Sequence, residues 1–316
     1  MPLHPETRAF LARMAAWQEA NKVPPRIEQS VEESRHWHRQ SALQRPREGQ
    51  PVMASEEDVM LPTRAGPRRA RVYRPAAAGP LPTLVYVHGG GYVVGGIEET
   101  EAETRRFAAG VPANVVSLSY RLAPEHPWPA AIDDVEDLVS AVASGGVEGV
   151  RAAPLALAGV SAGAGLVAAA ARRFAERGTS PVGLLVLLSP WLDMTLTSPA
   201  SRIFGRGHQL EREVLMEFCN QYVPPTLGFD HPELSAALHP VPAGFPETIL
   251  LAAECDPLAD DAALFARRLA EAGVAHALRH VPGMLHGFHG WYGLIPALAG
   301  DLAWLDGAIR ERMAKG

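Results

Sequence analysis

The sequence predicts an α/β protein built on a mostly parallel sheet, and three observations carry that expectation. Short apolar, β-branched runs recur along the chain and alternate with segments of helical pattern. Two of those runs end in glycine-rich turns, His88-Gly89-Gly90-Gly91 and Gly159-Val160-Ser161-Ala162-Gly163. Two more end in loops that carry an acid, Asp256, and a histidine, His286. Open α/β sheets collect their ligands at strand C-termini, so all four loops belong at one end of such a sheet.

The first ~45 residues read as helical, with Phe10, Leu11, Met14 and Trp17 on one face and a charged stretch from Glu32 to Arg39 behind them. Such a face wants a partner, either the body of the protein or a cap over a site. Arg68, Arg69 and Arg71 form the densest cationic cluster, at the spacing of a solvated strand face. The Ala/Gly/Pro stretch from Pro75 to Pro82 then reads as a turn between two strands.

Pro82 to Val87 reads as a buried strand that delivers the glycines of the first motif. Without Cβ atoms, Gly90 and Gly91 can turn their N–H groups toward a ligand and let a carbonyl approach, which outlines an oxyanion hole. A phosphate cradle would need G-x-G-x-x-G spacing or a Lys-Ser/Thr pair after the glycines, and the sequence has neither. Asp133 and Asp134 fall in the first turns of a helix beginning near Pro129, where carboxylates favour the helix dipole, so they read as structural.

Leu155 to Ala158 is another buried-strand run, and Gly165 to Arg173 is an Ala-rich helix former. Ser161 stands where strand, sharp turn and helix meet. Glycines two positions before and after it relieve the crowding of that turn, and the N–H of Ala162 would complete the oxyanion hole. A serine needs a base to attack at neutral pH, and the base needs an orienting group. Thr248 to Ala253 is strand-like and leads to Asp256, with Pro257 expected at the first position of the next helix. Asp260 and Asp261 are its rivals, but they lie inside that helix. His276 to Val281 is one more strand and leads to His286 in a loop; His280 sits within the strand, and His289 lies beyond His286-Gly287-Phe288. Ser, Asp, His is the chain order of the α/β-hydrolase triad.

Regular alternation is interrupted once. Ser189-Pro190-Trp191 ends a buried strand and strand pattern resumes only near Pro246, which marks an insertion at about 194–238. Glu211 to Tyr222 within it is helix-like, with Val214, Leu215, Phe218 and Tyr222 on one side. An interruption of that length is usually functional.

The chain resembles the hormone-sensitive-lipase-like family of α/β hydrolases, the bacterial carboxylesterases with an HGGG motif. The matching stretches are His88 to Tyr92, Tyr120 to Ala131, Ser189 to Asp193, Glu254 to Leu258 and His286 to Phe288, together with the opening Pro2 to Met14. The resemblance implies an eight-stranded, mostly parallel sheet flanked by helices under a helical cap. It implies an N-terminal cap segment over 1–45 and a catalytic domain over 46–316, interrupted by the insertion. Carried over by position, it makes Ser161 the nucleophile, His286 the base and Asp256 the orienting acid, with Gly90, Gly91 and Ala162 as oxyanion donors. Glu125 and His126 take a supporting role. The implied activity is hydrolysis of short- to medium-chain carboxylic esters, with Trp17, Phe204, Leu215 and Phe218 limiting the acyl chamber. Two departures stand out: Val160 replaces the family's usual Asp or Thr before the nucleophile, and Ala164 replaces a frequent Gly. The rival readings are the same triad acting on an amide, lactone, carbamate or polyester, and a hydrolase-like small-molecule receptor. Receptors of that kind tend to lose the histidine, and His286 is present.

Composition agrees with an enzyme of this class. With 316 residues and 47% hydrophobic content the chain can bury one large core. A net charge of −6 offers no basic patch for nucleic acid. Cys219 and Cys255 form no CxxC or His/Cys metal-ligand group, so both thiols are expected free, in a reducing compartment, with a single disulfide between them as the alternative. Met1 to Arg8 carries an acid and no apolar signal core, and no apolar run reaches the ~18 residues of a membrane span, so the expected location is cytoplasmic. The expected partner is a small-molecule ester, with a homodimer allowed. Triad chemistry needs neither metal nor organic cofactor.

Overall fold

Eight strands form one sheet in the order β1-β2-β4-β3-β5-β6-β7-β8. The computed structural model describes residues 3–45, 49–77, 79–152 and 154–315. The strands are β1 (Met53–Leu61), β2 (Arg68–Pro75), β3 (Thr83–Val87), β4 (Asn114–Leu118), β5 (Leu155–Val160), β6 (Val182–Leu188), β7 (Glu247–Ala253) and β8 (His276–Val281). β1 and β2 join antiparallel, β2 and β4 likewise, and every pairing from β4 through β3 to β8 is parallel. The mostly parallel sheet is therefore as expected. Pro2, Ala78 in the expected turn after β2, and residues 46–48 at the expected domain junction lie outside the described residues.

The central strands read as continuous apolar runs because both faces of the sheet are covered. Alternation then sorts their side chains. Val85, Val87, Leu157, Leu185, Leu187 and Leu250 belong to one core, while Leu84, Tyr86, Ala156, Val186, Ile249 and Leu251 belong to the other. The first core is closed by α4 (Ala130–Ala143), α5 (Ala162–Glu176) and α8 (Ala259–Glu271). The second is closed by α3 (Glu101–Gly110) and α9 (Ala299–Met313), through Phe107, Leu302, Leu305 and Ile309. A fully buried side chain of this size contributes roughly 1.5–3 kcal/mol.

The N-terminal segment is two helices rather than one, α1 (Pro5–Ala20) and α2 (Val31–Ala42), separated by Pro24-Pro25 and a 3-10 turn at Arg26–Glu28. The charged stretch from Glu32 to Arg39 lies within α2, whose start is stapled by a capping box in which Ser30 and Glu33 exchange side-chain-to-backbone bonds of 3.2 and 2.9 Å. On α1, Phe10 stacks on Trp291 at 4.1 Å, and Leu11 and Met14 join the second core. Much of the face expected to want a partner thus packs on the body. Between β6 and β7 lie α6 (Pro199–Ile203) and α7 (Arg212–Tyr222), which occupy the expected insertion. One expectation needs correction: α8 begins at Ala259, and Pro257 sits in the preceding turn. Asp256 Oδ1 accepts the Leu258 N–H at 2.9 Å, and that local turn delays the helix. Among the described residues no helix is long and apolar enough to cross a membrane.

Candidate active site

The glycines around Ser161 are where the two sequence motifs interlock. Ser161 follows β5 with φ +56° and ψ −121°, a backbone conformation that costs an L-residue roughly 1–3 kcal/mol and is held by its surroundings. Its N–H donates to Leu188 O at 2.9 Å and its carbonyl accepts from Trp191 N at 3.2 Å, so strand β6 and the loop after it fix both sides of the turn. A Cβ at Gly159 would clash with the carbonyl of Gly163, and one at Gly163 would clash with the carbonyls of Val87 and His88. The tight turn therefore presses against the strand that carries the first motif. Val160, the departure noted above, is buried, and its carbonyl and Cγ1 would lie 2.9 and 3.3 Å from a Cβ at Gly89. Its apolar side chain thus packs between the two loops.

In the first motif Gly90 and Gly91 have φ of +118° and +61°. Gly90 O accepts from Val93 N and Val94 N at 3.1 and 2.9 Å, which curls the loop back on itself. His88 anchors it: Nδ1 donates to Gly89 O at 2.7 Å, its ring stacks on Tyr120 at 4.2 Å, and Tyr120 Oη donates to His88 O at 2.9 Å. A carbonyl only accepts, so Nδ1 carries the proton, and burial holds the imidazole below its ordinary range and neutral. Among the described residues, the N–H groups of Gly90, Gly91 and Ala162 donate to no protein acceptor. Ala162 is the first residue of α5, whose N-terminal partial charge adds to the same spot.

The acid and base loops follow β7 and β8. Glu254 N–H donates to Val281 O at 3.2 Å, Cys255 N–H to Met284 O at 2.9 Å, and Gly283 N–H to the Glu254 carboxylate at 2.8 Å, so the loops are laced before the side chains meet. His286 Nδ1 then lies 2.7 Å from Asp256 Oδ2, and Nε2 lies 2.8 Å from Ser161 Oγ. The buried carboxylate accepts, which puts the proton on Nδ1 and leaves Nε2 free to take the serine proton. Gly287 has φ +72°, and its N–H reaches Ser189 Oγ at 3.3 Å. Such an arrangement can activate a hydroxyl and hold a developing oxyanion beside it.

A family profile described as an alpha/beta hydrolase fold matches residues 84–290, from the strand before the oxyanion loop to just past His286. The chain belongs to the hormone-sensitive-lipase-like α/β hydrolases. It is 34% identical over 300 residues to an ethyl acetate hydrolase of Pseudomonas putida, covering 91% of this chain and 92% of that one. It is 37% identical over 234 residues to carboxylesterase NlhH of Mycobacterium tuberculosis, covering 72% and 73% of the two chains. An esterase structure from Pyrobaculum calidifontis superposes with a TM-score of 0.88 at 32% identity, over 98% of this chain and 99% of that one.

Within this hydrolase the rival acids and histidines have other occupations. Asp260 accepts from Ala200 N at 2.9 Å at the start of α6, and buried Asp261 accepts from Leu192 N and Asp193 N at 2.8 and 3.0 Å. His280 is on β8, and His289 is buried 3.6 Å from Glu103. Asp133 and Asp134 pair with arginines, as a structural reading requires. Glu125 binds Arg35 of α2 through both carboxylate oxygens at 2.7 Å, and Arg35 also donates to Val93 O and Ala123 O. Cys219 and Cys255 are free and buried.

The four residues expected to line the acyl chamber separate. Phe218 of α7 abuts Gly91 so closely that a Cβ there would fall on its ring. Leu215 is buried in the first core and Phe204 in the second, edge-on to His208 at 5.2 Å. Trp17 is half-buried, edge-on to Trp37 of α2 at 6.2 Å. Sequence reasoning assigned no role to Arg26, Arg35, Glu103 or Ser189. Their partners are distant in the chain, so no local pattern marks them.

Proposed function

We propose that the protein is a carboxylic ester hydrolase that cleaves short- to medium-chain esters through an acyl-enzyme on Ser161. His286 takes the Ser161 proton as Oγ attacks the ester carbonyl, and the oxyanion is held by the N–H groups of Gly90, Gly91 and Ala162. The tetrahedral adduct collapses with His286 protonating the departing alcohol, and water repeats both steps on the acyl-enzyme. Asp256 keeps the imidazole in the required tautomer and stabilises the imidazolium. The observation that carries this reading is the Asp256–His286–Ser161 relay at 2.7 and 2.8 Å beside three unengaged N–H groups. The ester hydrolases among its relatives support the substrate class.

The contact over the oxyanion loop supports the shorter acyl chains. Phe218 on Gly91 narrows the space beyond the carbonyl, and on this reading the roof belongs to the N-terminal segment and the insertion at about 194–238. Nitrophenyl esters from acetate to palmitate test the reading on purified protein. Turnover should peak among short and medium chains and fall toward palmitate. Folded protein that turns over none of them is a binding protein, and a maximum at palmitate overturns the chain-length assignment.

A further inference from the structure

Each candidate oxyanion donor is aimed by the carbonyl that shares its peptide unit. In a planar trans peptide the C=O and the following N–H point in opposite directions, so a bond that fixes the oxygen also fixes where the N–H points. For Gly90 the shared oxygen is Gly89 O, which accepts from His88 Nδ1 at 2.7 Å. For Ala162 it is Ser161 O, which accepts from Ala164 N, Gly165 N and Trp191 N at 3.0, 3.2 and 3.2 Å.

The Gly91 donor depends on a longer chain. Its shared oxygen is Gly90 O, which accepts from Val93 N and Val94 N at 3.1 and 2.9 Å. The Val94 N–H belongs to the same peptide unit as Val93 O, and Val93 O accepts from Arg35 Nε at 2.9 Å. Two rigid peptide planes therefore run in series from the guanidinium to the Gly91 N–H. A Cβ at Gly90 would strike Val94 O, so the two limbs of this loop are pressed together.

The rest of the Arg35 fork is committed as well. Nη2 donates to Ala123 O at 3.0 Å, and Nη1 and Nη2 each donate to a Glu125 carboxylate oxygen at 2.7 Å. Ala123 N–H donates to Tyr92 O at 2.9 Å, so Arg35 clamps Val93 to a segment already bonded to the residue before it. With 30% of its side chain exposed and its charge matched by Glu125, the guanidinium acts through geometry rather than through its field.

We infer that Arg35, in the N-terminal segment, is a positioning residue for the oxyanion hole: it holds the Val93–Val94 peptide, which holds the Gly90–Gly91 peptide and so aims the Gly91 N–H. This rests on the ester-hydrolase reading and deepens it. The segment thereby takes part in turnover, although none of its side chains belongs to the triad.

The experiment measures nitrophenyl butyrate kinetics, and inhibition by trifluoromethyl pentyl ketone and by the matching carbinol, on wild type, Arg35→Gln, Arg35→Lys and Glu125→Gln. The ketone adds to Ser161 Oγ; its carbonyl π pair moves onto oxygen and the serine proton passes to His286, so its affinity reports the oxyanion hole. The carbinol cannot form that adduct and reports the pocket alone. Loss of a whole oxyanion donor costs about a hundredfold or more, and a misaimed one costs less. In Arg35→Gln, kcat should fall about tenfold with KM little changed, and the preference for ketone over carbinol should fall by a similar factor. Arg35→Lys keeps one donor for a carbonyl but not the planar fork, so it should recover part of the loss; it carries the test should Arg35→Gln not fold. Glu125→Gln breaks the charge pair and leaves the bond to Val93 O, so it should lose clearly less than Arg35→Gln. A ketone-to-carbinol preference within about twofold of wild type in the folded position-35 variants, or one that falls as far in Glu125→Gln, overturns the proposal and leaves the esterase intact. Wild type that turns over no nitrophenyl ester overturns the esterase reading itself.

Discussion

The strand ends and the helices laid against them are built by different means. At the strand ends, positions are set by backbone: glycines that tolerate no Cβ, a serine held at positive φ, and loops laced by main-chain bonds. Against the oxyanion loop the contacts come from long side chains: Arg35 spans to Val93 and Ala123, Arg26 lies on Phe218, and Trp17 meets Trp37. The first kind of construction cannot change by one atom without a clash, so it fixes a reaction. The second can exchange one side chain for another with local consequences, so it suits the choice of substrate.

The largest effect that tests this contrast is at Ser161. Ser161→Ala removes the nucleophile without adding bulk, and kcat/KM should fall by roughly 10⁴-fold or more with an unchanged fold by circular dichroism. Near wild-type turnover by the folded variant would dissolve the distinction at its root.

Next comes Gly91, where the two regions touch. A Cβ there strikes the Phe218 ring, so Gly91→Ala should cost about a hundredfold in kcat by displacing an oxyanion donor. Combining it with Phe218→Ala should return part of the loss, because the obstruction is then gone. A double variant no better than the single would place the damage in the loop backbone alone.

The regions also meet at Glu103 of α3, which takes the Tyr86 hydroxyl, Arg45 at 3.3 Å and His289 at 3.6 Å. Burial alone would raise this carboxyl, but His289, Arg45 and Tyr86 outweigh it and hold it at about 2 rather than 4.5. Depressed in the folded state, it contributes fully above pH 4.5 and is lost as pH falls toward 2, a contribution on the order of 3 kcal/mol. Urea unfolding across that range should show Glu103→Gln less stable at neutral pH and converging on wild type in acid. Parallel profiles would mean that the carboxylate is not what joins the N-terminal segment to the base loop.

The smallest expected change is Phe218→Ala alone. Opening the space beside Gly91 should shift the preference among nitrophenyl esters toward longer chains by about tenfold in relative kcat/KM. An unchanged ranking would remove Phe218 from the acyl chamber.

The candidate triad, whose side chains the fold brings within 2.7 and 2.8 Å of one another, was legible because each member follows a strand run and sits in a short motif whose residue types have local causes. The region against the oxyanion loop was legible only as helices. Trp17, Phe204, Leu215 and Phe218 look alike in sequence as large apolar residues on helical patterns, yet three join the two cores, only one of those, Phe218, also abuts Gly91, and Trp17 meets another tryptophan. Periodicity says that a face is buried and not against what.

By itself the sequence determined the α/β class and the strands that end in candidate chemistry, and it singled out Ser161, Asp256 and His286, because hydrophobic period and glycine placement act over a few residues. It also marked Asp260, Asp261, His280 and His289 as rivals whose other occupations needed the fold to be seen. Only the tertiary structure decided that His286 reaches both Asp256 and Ser161, that Val160 packs against Gly89, and that Arg26 ends over the Phe218 ring. Those contacts join segments from tens to hundreds of residues apart, and a side chain's environment at that range is set by packing, which no local pattern of residue types encodes.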